Sequence, residues 1–137
     1  MEITDAEKYR KHAAAFQHSW MSNAKWRKVL SAIAGTTSNV TRCEFKCIDS
    51  DHITVVRAPK VSDIAYSHFA DEAFQPFEYK WLEWMRFPRR FKPIVGVGYV
   101  VEQQVEVLKS EIEANASAML SLDDQFLWLF AYTGKMG

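Results

Sequence analysis

The sequence predicts an α+β domain, an antiparallel sheet of four to five strands with helices packed on one face, in the order α-α-β-β-β-β-α-β. Three observations carry this reading. Residues 42–48 alternate strictly, with Cys43, Phe45 and Cys47 on one side and Arg42, Glu44 and Lys46 on the other, the period of a half-buried strand. Segments near the N-terminus place apolar residues at helical spacing instead. Short turn-like joints between the β-like runs favour antiparallel neighbours.

Taken in order, Thr4-Asp5-Ala6-Glu7 has the capping-box pattern, and Tyr9, Ala13, Phe16 and Trp20 follow at helical spacing. Residues 1–21 are therefore expected to be a helical extension to a single domain over 22–137. A second helix is expected to start at Asn23 as N-cap, with Trp26, Val29, Leu30 and Ile33 as its apolar face and Gly35 as its stop. The alternating strand at 42–48 runs into the turn Asp49-Ser50-Asp51, and the β-branched run 52–57 is its hairpin partner. Residues 58–76 hold two prolines and read as a loop with a short strand or a turn of helix. Phe77–Phe87 is aromatic-rich and reads as one central strand, apolar on both faces and broken at Pro88-Arg89-Arg90. Ile94–Val101 is β-like, and Val101, Val105, Leu108 and Ile112 define a helix with Glu102, Glu106 and Glu113 on its outer face. Residues 121–124 read as a loop. Phe126, Trp128, Phe130 and Tyr132 share one face of a closing strand.

The chain is 137 residues long and 48% hydrophobic, which fits one globular domain and excludes a disordered one. It balances 17 basic against 17 acidic residues, which argues against polyanion binding by bulk charge. The balance is segregated: residues 1–48 sum to +4, 49–83 to −4, 84–92 to +4 and 93–137 to −4. Such blocks either form patches that steer a charged partner or cancel on the folded surface. No apolar run approaches the about 18 residues of a membrane span, and the polar start is unlike a signal peptide. Cys43 and Cys47 on one strand would lie roughly 13 Å apart, too far for a disulfide, which suits a cytoplasmic setting.

Motifs with chemistry are sparse. His12, His18, His52 and His68 lack metal-ligand spacing, and no nucleophile elbow is present. Gly96-Val97-Gly98 is half a dinucleotide fingerprint, with Val101 where the third glycine belongs. Glu83, between Leu82 and Trp84 on an expected buried strand, needs a partner, for which Arg86 is the natural cation. Arg86, Arg89, Arg90 and Lys92 lie among Trp84, Phe87 and Phe91, a pattern that can bind single strands of nucleic acid. Of the nineteen aromatic residues, five of them Trp, most must be core, and any exposed ones are candidate interface hot spots.

Several segments together resemble a family of small bacterial cytoplasmic proteins of unknown function. They are Asn23-Ala24-Lys25-Trp26, the strand and turn 42–49, Tyr66-Ser67-His68-Phe69, Leu82-Glu83-Trp84-Met85, the helix 105–112 and the strand 126–132. The order is kept over residues 22–132, while Pro88–Gln104 is longer than the family pattern. The resemblance implies a toxin-immunity or antitoxin role. With the absence of catalytic motifs and the segregated charge, it leads to the expectation of a non-enzymatic cytoplasmic binding protein. Such a protein would cover the active site of a cognate toxin and need no cofactor or metal. The acidic block (Asp49, Asp51, Asp63, Asp71, Glu72) is the expected partner surface, and Arg86, Arg89 and Arg90 are the second. Two readings stay beside it: a nucleic-acid or nucleotide-binding module built on Arg89, Arg90 and exposed aromatics, and a small hydrolase centred on Glu83 or a histidine.

Overall fold

A computed structural model describes residues 5–69, 77–93 and 98–136. Asp71, Glu72, Thr4 of the expected capping box and residues 94–97, half of the expected strand at 94–101, lie outside those residues. The elements are α1 (Asp5–Ala13), β1 (Phe16–Ser19), α2 (Asn23–Ala34), β2 (Arg42–Cys47), β3 (Ile53–Arg57), β4 (His68–Phe69), β5 (Phe77–Glu78), β6 (Leu82–Pro88), β7 (Arg90–Phe91), β8 (Val101–Glu102), α3 (Val105–Asn115), β9 (Met119–Leu122), β10 (Phe126–Phe130) and β11 (Tyr132–Lys135). Single 3₁₀ turns occupy Val61–Asp63 and Tyr79–Trp81.

The main sheet has five antiparallel strands in the order β3-β2-β6-β10-β9, so the predicted α+β architecture is the observed one. Trp26, Val29, Leu30 and Ile33 of α2, and Val105, Leu108 and Ile112 of α3, pack on one sheet face. They meet Cys43 and Phe45 of β2, Met85 and Phe87 of β6, and Leu127 and Leu129 of β10. Each fully buried aliphatic side chain there contributes about 1.5–3 kcal/mol. Ser22, not Asn23, caps α2: its Oγ accepts from the Lys25 amide at 3.1 Å, and Asn23 is the first helical residue.

Five local expectations are corrected. The helical spacing read through Phe16 and Trp20 ends at Ala13, and 16–19 is a strand paired antiparallel with β11. That pairing is 113–119 residues distant in sequence, so no local pattern announces it. The run 77–87 is not one strand; a 3₁₀ turn at 79–81 buries Tyr79 in the core, stacked on Trp26, before β6 begins. Val101 and Glu102 pair with β7 instead of opening α3. Residues 119–122 are the edge strand β9 and not part of a loop. The closing strand breaks at Ala131, and Tyr132 turns into the core, where its hydroxyl donates to the Lys80 carbonyl at 2.7 Å.

Candidate interaction face

Opposed residues of an antiparallel pair point to the same side of a sheet. The register therefore fixes what the face away from the helices carries. Glu44 lies opposite Val55 and Arg86, Arg86 opposite Trp128, Lys46 opposite Ile53 and Trp84, and Phe130 opposite Trp84 and Met119. Phe126, Trp128 and Phe130 alternate along β10, as their spacing predicts, and all three are half-buried. Trp84 is only 8% exposed yet stands outside the helix-side core, because it belongs to this second face. The rings are packed: Trp84 meets Trp128 edge-on with centroids 5.0 Å apart, and Trp128 lies parallel to Phe130 at 5.6 Å. Ile53, Val55 and Met119 form a rim 37–42% exposed.

Arg86 sits in the middle of these rings. Its guanidinium carbon is 4.0 Å from the Phe126 ring centre, 4.9 Å from Trp84 and 5.1 Å from Trp128. Its Nε and one Nη each lie 2.7 Å from Glu44 Oε1. Two residues along β2 from Glu44, Lys46 Nζ donates to Glu83 Oε1 at 2.6 Å. Lys46 is opposite Trp84 while Cys47 is opposite Leu82, so Glu83 is an extra residue in β6. Such a bulge re-aims a side chain. It takes a carboxylate that simple alternation would send to the core and gives it to Lys46. The expected ion pair of Glu83 exists, with Lys46 and not Arg86 as partner. The same slip leaves Cys47 partly exposed and Ile48 buried. Both cysteines are free thiols, and burial pushes Cys47 up to about 11, Asp49 adding to the shift and Lys46 opposing it.

The residues singled out by charge are spread over several elements, and most of the described ones are ion-paired. Asp49, in the β2–β3 turn, pairs with Lys8 at 3.5 Å, and Asp51 is exposed in the same connection. Asp63 is buried, held by Arg57 at 3.1 Å and by the Lys60 amide at 2.9 Å. Arg89 pairs with Glu106, holding that carboxyl below its usual range, and also donates to the Asp123 carbonyl at 2.8 Å. Arg90 lies 3.6 Å from Glu102. The +4 and −4 blocks thus meet in several ion pairs, while Asp51 is exposed and Asp71 and Glu72 lie outside the described residues.

Gln103 is a structural residue that sequence reading passed over. Its buried amide accepts from the backbone N–H of Thr41 (2.7 Å) and Arg42 (2.9 Å) and donates to the carbonyls of Pro88 (2.7 Å) and Arg42 (3.2 Å). It joins the start of β2 to the end of β6 and fixes where the charged strand ends sit. On the helix side, an open groove of about 770 Å³ between α2 and α3 is lined by Arg27, Lys28, Ser31 and Glu111. Glu111 is committed there, accepting from the Thr36 hydroxyl at 2.6 Å and the Thr37 amide at 3.1 Å. These bonds hold its carboxyl below the usual range.

Chemically, the open face is an apolar, aromatic platform with its charges internally balanced. Both of its carboxylates are taken up by cations within 2.7 Å, which suits orientation of Lys46 and Arg86 more than proton abstraction from a substrate. No helix among the described residues is long and apolar enough to cross a membrane. No family model, curated protein or solved structure matches the chain.

Proposed function

We propose that this chain is a non-enzymatic binding protein that docks a protein partner on the open face of its sheet. Following the resemblance of its short motifs, the partner is a cognate bacterial toxin whose active site the chain covers in the cytoplasm. The observation that carries the docking face is the cluster of Trp84, Phe126, Trp128 and Phe130 around Arg86, rimmed by exposed Ile53, Val55 and Met119. Tryptophan and arginine dominate binding energy at protein interfaces, and neighbouring apolar residues keep water from them. Paired charge at the centre favours a protein surface over a phosphate backbone, which needs unpaired cations.

A nucleic-acid reading retains one specific support. Trp128 and Phe130 present parallel rings two residues apart on one strand, a spacing on which bases can stack. Binding of single-stranded RNA that weakens steeply with salt favours that reading.

The test is co-expression with the product of the adjacent gene, scored by growth of the host. The intact chain protects, and the double variant Trp128→Ser, Phe130→Ser does not, while its circular dichroism spectrum is unchanged. Protection that survives this double variant but disappears with Asp49→Asn, Asp51→Asn moves docking to the acidic turn and refutes the face.

A further inference from the structure

The two edges of the main sheet are unlike each other. β3 is bounded by Asp51 and Arg57 and followed by Pro59 and Lys60, the charge and proline that discourage a further strand. β9 carries no charge or proline within it, its acids Asp123 and Asp124 falling just beyond its end. Residues 114–122 (Ala-Asn-Ala-Ser-Ala-Met-Leu-Ser-Leu) carry neither charge nor proline, and among the described residues β9 is paired on one side only, with β10. Met119 and Ser121 are exposed on it.

We propose that β9 is a self-pairing edge through which two copies of this chain join into one continuous antiparallel sheet. The occupant is a second copy because the segment is complementary to itself. A two-fold axis perpendicular to the sheet keeps each copy's faces aligned, so it must pass through a residue, Leu120 or Ser121, and not between two. In either register only uncharged residues oppose one another near the axis. The acidic pair Asp123-Asp124 then falls opposite residues 116–119, which are uncharged, and not opposite its own copy. Phe130 lies beside Met119 on β9, so the aromatic faces of the two copies would continue into each other across the joint.

The test uses sedimentation velocity of the full chain with hydrogen exchange read at residues 119–122. The intact chain forms dimers as its concentration rises, and amide exchange across β9 slows in step. Ser121→Glu or Ser121→Lys alone places like charges about 5 Å apart if opposite, or about 8 Å if diagonal, and weakens self-association about fivefold. An equimolar mixture of the two variants restores it. Exposed Ser121 tolerates either side chain, and an unchanged thermal transition verifies that each variant folds. A chain that stays monomeric at every concentration overturns the proposal. So does a dimer whose β9 amides exchange at the monomer rate, which would assign association to another surface.

Discussion

Removing Arg86 should destabilise the fold more than removing its ionic partner, and the geometry says by how much. At an effective dielectric near 20, opposite charges about 4 Å apart attract by about 4 kcal/mol, before the cost of taking both from water. Glu44 and Arg86 are only 15–17% exposed, so part of that cost applies and a smaller net coupling of about 2 kcal/mol is expected. Arg86 also faces three rings, each contact adding about 0.5–1 kcal/mol. Arg86→Leu strands a largely buried carboxylate and loses the ring contacts, for a total of about 3.5–5 kcal/mol. Glu44→Leu leaves the guanidinium among its rings and costs about 2 kcal/mol. With a coupling of about 2 kcal/mol, the double leucine variant costs about as much as Arg86→Leu alone, because Glu44 then has no cation left to lose. Urea unfolding of the four proteins with a common slope closes this cycle. A cost below about 0.5 kcal/mol for Arg86→Leu, the range of an exposed pair, would show that water reaches the pair and that the face is not the packed platform described.

Gln103→Ala strands two backbone donors and two carbonyls and should cost about 3–4 kcal/mol by urea unfolding; a cost under about 1 kcal/mol would mean that water replaces the amide. Asp123 accepts from the amides of Phe126 and Gln125 and from Trp128 Nε1, bonds that hold its carboxyl below the usual range. A lowered native pKa gives stability that is present above the unfolded value near 3.9 and is lost as pH falls through the native one. Asp123→Asn should therefore flatten the loss of stability below about pH 4, and an unchanged acid limb would contradict the assignment. With its thiol near 11, Cys47 should be alkylated slowly at pH 8, the rate rising about tenfold per pH unit; a rate that levels off near pH 8.5 would show an ordinary exposed thiol.

What could be read from the sequence follows the range over which each element is determined. α2 and the β2–β3 hairpin satisfy their own local periods, so Trp26 to Ile33 and Cys43 to Phe45 could be assigned to the core before any fold was seen. Phe126, Trp128 and Phe130 were legible as a face for the same reason. β1 was not, because Phe16–Ser19 is a strand only by virtue of its pairing with Tyr132–Lys135 at the far end of the chain. β9 left a faint signal, the alternation of Leu120 and Leu122, which four residues could not carry against the neighbouring polar turn. The partner of Glu83 depends on a one-residue bulge that no spacing rule anticipates. Gln103 has nothing to mark it beside Gln104, since its burial follows from where β2 and β6 end. Segregated charge was legible as composition but its pairing was not, because segments remote in sequence supply each other's counter-ions: Lys8 for Asp49, Glu44 for Arg86, Glu106 for Arg89.

Oxidative footprinting of the complex with the adjacent-gene product tests the docking face most directly. The account predicts protection of Trp128 and Phe130, with Tyr66, which is 75% exposed beside Arg27, labelled as in the free chain. It further predicts that Trp128→Ala weakens the complex at least about 30-fold, the loss of an interface hot spot. Protection of Tyr66 with Trp128 unchanged would contradict it and place the partner on the helices.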